Sequence, residues 1–142
     1  MATRPGASSK KARVEDRVDI VQRHYGEDFE PEKAEAMLNS EIKVILDRVN
    51  NQQQVDFDDL SEMMQNTTTY VQTFGKMADE DTIGDCKADL VDKGLHTFEA
   101  ASMGNLMPAN AEEAKALIMS LTRFQDDEIQ EFCNIVKRHK KD

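Results

Sequence analysis

The 142-residue chain is 39% hydrophobic with a formal net charge of −10, the size of one ordinary domain and long enough to bury a core without a disulfide or metal staple. Cys86 and Cys133 have no CxxC spacing and no histidine pair nearby, so they read as reduced core thiols, and neither cofactor nor metal is expected. The charge is uneven: residues 1–23 carry six basic against three acidic side chains, residues 137–142 four against one, and residues 24–136 eight against 24, a net of −16. Such a body repels phosphate backbones and excludes a DNA clamp of the basic-patch kind.

Residues 1–25 are rich in Ala, Ser, Lys, Arg and Asp and read as a largely disordered basic tail with a short helix near residues 14–24. Lys10, Lys11 and Arg13 fit either a nuclear-import signal or a solubilising cluster. No apolar region follows the basic N-terminus and no run approaches a membrane span, so a chain neither secreted nor membrane-inserted is expected. Phe29, Glu30 and Pro31 form an extended lead-in, because the residue before a proline is pushed out of the helical region; Pro31 then opens a helix. From Glu32 to Asn50, Ala34, Met37, Leu38, Ile42, Ile45, Leu46 and Val49 keep helical spacing, and the polar run NNQQQ then serves as a connector.

A second helix is predicted from Asp58 to Gly75, with Leu60, Met63, Met64, Val71 and Phe74 inward and the acids at 56–59 favouring its N-terminus. Thr67, Thr68 and Thr69 weaken it through lost rotamer freedom. A third spans Glu80–Lys93 through Ile83, Cys86, Leu90 and Val91, with Gly94 ending it. Leu95–Leu106 makes a short helix on Leu95, Phe98, Ala101 and Leu106, stopped at Pro108. Asn110 with Glu113 reads as a capping box for a helix whose face is Ala114, Leu117, Ile118 and Leu121. Asp126 or Asp127 caps a last helix through Ile129, Phe132, Cys133 and Val136, whose basic end suits a helix C-terminus. No period-two pattern survives, so the fold class is all-α. Its expected bundle core is Leu95, Phe98, Leu106, Leu117, Ile118, Leu121, Ile129 and Phe132.

Chemistry finds nothing to stand on. Glu112/Glu113 and Asp126/Asp127 are explained as helix-start acids, and His96 at a helix start suits a cap or a packing role better than a general base. There is no Walker sequence, GxGxxG, HExxH or nucleophile elbow, so no catalytic residue is assigned. Met37, Met63 and Met64 take core-face positions, whereas Met103, Met107 and Met119 fit partner contact. An interaction module is what remains.

Three blocks then carry a resemblance. Leu95, His96, Phe98, Glu99, Asn105, Leu106, Pro108, Ala111, Glu112, Glu113, Lys115, Ala116, Leu117, Ile118, Ser120 and Leu121 resemble the pattern LHxFExxxLxNLxPxxxEEAKxLIPSL, followed by a DDELQ-like start at residues 126–130. Residues 32–42 resemble ETAExLLNSEV, and residues 61–67 resemble SEVFMKT. These belong to the family of the fourth-largest subunit of eukaryotic RNA polymerase II, and the likeness runs over about residues 29–136. Met119 stands where the family has the proline of LIPSL, the loop at Thr122 and Arg123 is shortened, and a basic end replaces an aromatic tail.

The resemblance implies a C-terminal bundle of the helicase-and-RNase-D C-terminal (HRDC) type in a non-catalytic nuclear subunit. That subunit pairs with the seventh, OB-fold subunit to form the polymerase stalk, supports initiation, and meets nascent RNA through its partner. Its organisation would be a tail at 1–28, a partner-binding segment with long helices at 29–75, and the bundle at 76–142. Partner contact is placed on Phe29, Met37, Leu38, Ile42, Ile45, Leu46 and Val49, an apolar face wider than a monomer usually exposes, with Phe29 leading a strand that adds to a partner sheet. The equivalent subunit of RNA polymerase III and a free-standing HRDC-like nucleic-acid-binding module are the alternatives, the second opposed by the net −16 of the body.

Overall fold

The computed structural model describes residues 19–30 and 33–141, and the chain divides into two units, residues 1–35 and 36–142. The first holds a tight turn in place of the short helix expected near 14–24. Asp19 and His24 exchange both backbone hydrogen bonds, and Arg23 takes a left-handed φ of 63°, which a helix cannot accommodate. Phe29 closes a 3₁₀ turn, Glu27–Phe29, instead of starting an extended lead-in. Residues 14–18, the basic cluster Lys10, Lys11 and Arg13, and Pro31 and Glu32 lie outside the described residues.

The second unit is all-α: α1 Asn39–Gln53, α2 Glu62–Phe74, α3 Glu80–Asp92, α4 Thr97–Leu106, α5 Ala111–Leu117 and α6 Asp126–Arg138. Helix α1 packs on α2 and α3, α3 on α4 and α6, and α5 and α4 on α6. Local chemistry sets most of the starts. Asp79 accepts from the Thr82 amide at 2.9 Å and Asn110 from the Glu113 amide at 2.9 Å. The Glu113 side chain reaches back to the Ala109 amide, one residue short of a full capping box. His96 Nδ1 accepts from the Phe98 amide while Glu99 accepts from the His96 amide. At α6 the cap is Gln125, whose amide donates to Glu128; Asp126 and Asp127 are the first helical residues instead. Gly94 follows α3 with φ +101°, and the Leu95 amide turns back to the Leu90 carbonyl, the closing pattern that favours glycine.

Helix α1 starts seven residues later than the apolar spacing predicts, and tertiary contacts explain why. Residues 34–38 run without helix, and Leu38 is extended. Its side chain, 1% exposed, lies against Gly104 so closely that a Cβ there would meet Leu38 Cδ2 at 2.2 Å. Beside it the Asn39 amide donates to Asn105 Oδ1 at 2.8 Å, the Met77 amide donates to Ser40 Oγ at 3.0 Å, and Lys87 Nζ donates to the Ala36 carbonyl at 2.9 Å. A helix begun at Glu32 would withdraw these groups. At its other end α1 continues through the expected connector until Gln54 turns left-handed at φ 52°.

The core joins Leu38, Met77 and the inner faces of α3, α4, α5 and α6. Of the expected bundle core, Leu95, Ile118, Leu121, Ile129 and Phe132 are buried and Phe98 is half-buried. Leu106 and Leu117 are 46% and 50% exposed. Glu99, Ala100, Ala101, Met103 and Gly104 fix the phase of α4 and turn Leu106 outward; Met103, for which partner contact was open, is core. Helix α5 ends at Leu117, and Ile118 leaves the helical region at φ −127° to enter the 3₁₀ segment Met119–Arg123. That exit swings Ile118 and Leu121 inward and leaves Leu117 outside. Val91, expected on the inner face of α3, is also exposed, since Ile83, Cys86 and Leu90 already fill it. Burial pushes the Cys86 thiol up to about 11, with Asp89 adding to the shift, and burial also raises Cys133.

One charged residue sits inside. Glu99 is 1% exposed, and its carboxylate accepts from Arg123 Nη2 at 2.6 Å, from Arg123 Nη1 and from the Ser120 hydroxyl. Arg123 also donates to the Gly94 carbonyl and lies over the Phe124 ring at 4.3 Å, and Phe124 meets Phe132 edge-on at 5.0 Å. Burial by itself would raise the Glu99 pKa, but the hydrogen bonds from Arg123, Ser120 and the His96 amide hold it below the ordinary carboxylate value.

Two outcomes follow from these contacts. Leu38→Ala should cost about 2–5 kcal/mol in urea unfolding, the cost of a large-to-small change in a sealed core; an unaltered midpoint would mean that Leu38 does not seal it. Arg123→Ala should cost about 3–5 kcal/mol by leaving the Glu99 charge buried and unpaired. Because the folded pKa of Glu99 is depressed, its stabilisation is complete above the unfolded value and lost as pH falls through the lower native value. Stability of the wild type, followed from neutral to acid pH, should therefore fall in that window, and the fall should shrink in Glu99→Gln.

Candidate interaction surface

Among the described residues no helix is long and apolar enough to cross a membrane, and no three His, Cys, Asp or Glu side chains are placed to hold a metal. What the chain presents is apolar surface. Of the seven expected contact residues, Phe29 lies in the first unit and is exposed, whereas Met37, Ile45 and Val49 are exposed in the second. Ile42 and Leu46, one turn apart, are half-buried. Leu38 is the exception, sealed against Gly104 in the core, and it cannot meet a partner.

Helix α2 carries a surface that its sequence pattern conceals. Thr68 and Val71 are buried and Met64 is half-buried, at i, i+4 and i+7, so this stripe sets the inner face. Met63 and Phe74, expected inside, then fall to one side of that face with Tyr70; Met63 is 77% exposed and Tyr70 55%. Two apolar stripes compete on this helix, and the buried one contains a threonine. The rings of Tyr70 and Phe74 lie 4.8 Å apart. They join Leu106, Lys76, Asn39, Ser102 and Asn105 around a cleft of about 360 Å3. The signal available in the sequence was the spacing of Met63, Tyr70 and Phe74, which share a helical face of their own.

The contacts that fix α1 also bring together two of the resembling blocks. Leu38, Asn39, Ser40 and Glu41 come from one; Gly104 and Asn105 lie within the other. Leu38 packs on Gly104 and the Asn39 amide is held by Asn105, across 66 positions of sequence. The RNA polymerase Rpb4 family model matches residues 36–140, which span this junction and all six helices.

The chain belongs to the Rpb4 family. The RNA polymerase II subunit rpb4 of Dictyostelium discoideum is 25% identical over 85% of this chain and 88% of its own length. Subunit 4 of RNA polymerase II from Arabidopsis thaliana is 32% identical over 75% of this chain and 85% of its own. RPB4 of Saccharomyces cerevisiae is 40% identical, over 47% of this chain and 31% of that protein. The residues that carry the likeness are caps, an inter-helix plug and apolar faces.

The two stripes of α2 should separate in unfolding experiments. Met63→Gln should change stability by less than about 0.5 kcal/mol, as an exposed substitution does, whereas Val71→Ala should cost at least about 1.5 kcal/mol for its two buried carbons. Equal losses would place both stripes inside.

Proposed function

We propose that this chain is a non-catalytic subunit of RNA polymerase II that pairs with the seventh, OB-fold subunit and, through it, joins the polymerase core as part of the stalk. In this reading it acts in the nucleus, supports initiation, and meets nascent RNA through its partner. The observation that carries the proposal is the family match over residues 36–140, with relatives named as polymerase II subunits supporting polymerase II over polymerase III. The net −16 of residues 24–136 supports RNA contact by way of the partner, since autonomous phosphate binding needs clustered cations. Residues 29–75 supply the partner contact and residues 76–142 an HRDC-like bundle.

Phe29, Met37, Ile42, Ile45, Leu46 and Val49 form the contact in this proposal, with Leu38 removed from it. Exposed aliphatic side chains at Ile45 and Val49, one turn apart on α1, favour that assignment. Deleting the contact segment with α1 would also delete the Leu38 plug, so point substitutions test the idea more cleanly. On co-expression with the seventh subunit, Ile45→Asp with Val49→Asp should abolish stoichiometric co-purification. Leu117→Asp with Met119→Asp, on the exposed side of the bundle, should leave it intact, and circular dichroism should show both variants folded. Loss of the complex only in the second pair would move the interface to the bundle and overturn the assignment.

A further inference from the structure

Helix α2 ends at Phe74, and the link that leads from it to α3 is clamped by main-chain bonds. The Met77 amide donates to Ser40 Oγ at 3.0 Å, and the Lys76 carbonyl accepts from the Lys141 amide at 2.7 Å. These bonds hold Lys76 beside the exposed Tyr70, Phe74 and Leu106, in the wall of the 360 Å3 cleft that those residues share. The Lys141 bond also brings the basic end of the chain, four cations against one acid over residues 137–142, up to the same link.

Lys76 stands apart electrostatically. Residues 24–136 hold eight Lys and Arg side chains among 24 acids. Seven of the eight are ion-paired, and among the described residues Lys76 alone has no carboxylate partner. Its Nζ reaches only the Leu106 carbonyl, at 3.4 Å, although the residue is half-buried. A partly desolvated cation without a counter-ion is costly, and an incoming carboxylate would offset that cost. The cleft is otherwise rich in donors and has no acidic lining residue. Asn105 Oδ1 already accepts from the Asn39 amide, which leaves the Asn105 NH2 group to donate to a ligand, and a carboxylate is the group that only accepts.

We propose that this cleft is a docking site for a short acidic segment of a partner protein, which packs one aromatic or leucine-sized side chain against Tyr70, Phe74 and Leu106 and sets a carboxylate on Lys76 and the Asn105 NH2 group. The basic chain end adds longer-range attraction for acids flanking that anchor. Two features select a protein over a nucleic acid. The Tyr70 and Phe74 rings are tilted 48° to each other, so they wall a recess for one side chain and do not form a parallel platform for successive bases. One lysine in the cleft matches one carboxylate, whereas a nucleic-acid strand brings a phosphate at every step against a body of net −16. None of the six residues assigned to the seventh-subunit contact lines the cleft, so the two sites use different side chains.

The test titrates the full chain, labelled for amide NMR, with the peptide Asp-Glu-Phe-Leu-Asp-Glu, the same peptide with serines for Phe and Leu, the first peptide with lysines for its acids, and a hexauridine oligonucleotide. The acidic apolar peptide should move the amides of Tyr70, Phe74, Lys76 and Asn105 and saturate below about 1 mM. The serine peptide, the lysine peptide and the oligonucleotide should bind at least about ten-fold more weakly. Lys76→Gln should weaken the acidic peptide at least about five-fold, and Tyr70→Ser with Phe74→Ser should abolish saturation, circular dichroism showing both variants folded. Lys93→Gln removes the same charge from a lysine paired with Glu131 and should bind like the wild type. The proposal is overturned if the acidic peptide fails to saturate, if the serine peptide or the oligonucleotide binds equally well, or if Lys93→Gln weakens binding as much as Lys76→Gln. Since the assay contains no polymerase subunit other than this chain, its failure would leave the subunit assignment untouched.

Discussion

A single buried carboxylate organises the second half of the molecule. Glu99 completes the cap of α4, receives the Ser120 hydroxyl from the 3₁₀ segment, and neutralises Arg123, which in turn holds the carbonyl of Gly94 at the end of α3. Three elements, α3, α4 and the 3₁₀ segment, are thereby tied to one charged group, and Phe124, under the guanidinium, carries the connection to Phe132 of α6. An ion pair of this kind adds little net stability compared with a well-packed apolar replacement, because desolvation offsets most of the attraction. Its value lies in uniqueness. An apolar cluster tolerates several packings, whereas a carboxylate with four hydrogen bonds accepts one arrangement of the chain segments that supply them.

The α1–α2 pair is attached by different means. Leu38 fits the space left by a missing side chain at Gly104, and short polar bonds on either side fix the approach. Shape complementarity and hydrogen bonding together hold the start of α1 at one position while leaving the outward sides of both helices unoccupied. Five of the large exposed apolar residues, Ile45, Val49, Met63, Tyr70 and Phe74, are on this pair. Rigid attachment on one side and apolar exposure on the other is the arrangement expected of a surface that a second protein covers.

What the sequence made legible depended on how local the cause was. Helices α3, α5 and α6 were readable because Gly94, Asn110 and the acids at 126–128 act within a few residues of the ends they mark. The start of α1 was not, because its apolar spacing continues through Ala34 and Met37 while the decisive groups, Gly104, Asn105 and Lys87, lie far along the chain. Phase failed for the same reason. Met63 and Phe74 are better core residues by composition than Thr68, yet Thr68 is buried, its hydroxyl without a hydrogen-bond partner. Glu99 belongs to a class of residue that is almost never fully buried unless paired, and Arg123, its partner, is 24 residues away. The exposed apolar surface was half visible: the spacing on α1 includes Ile45 and Val49, while Met63 and Phe74 of the outer stripe of α2 read as core.

The 66-residue span between Asn39 and Asn105 also orders events during synthesis. Chain emerges from the ribosome N-terminus first, so α1 and α2 exist before the helix that receives Leu38. Until residue 105 has cleared the exit tunnel, Leu38 has no cavity to enter and the amide of Asn39 no acceptor. The α1–α2 hairpin must therefore wait as a nascent, apolar and incompletely anchored segment. Closing so long a loop is entropically unfavourable until α3 and α4 have formed to reward it. Docking of the N-terminal helices is thus a late event in folding, and the interval before it is when the apolar faces of this chain are most open to misassociation.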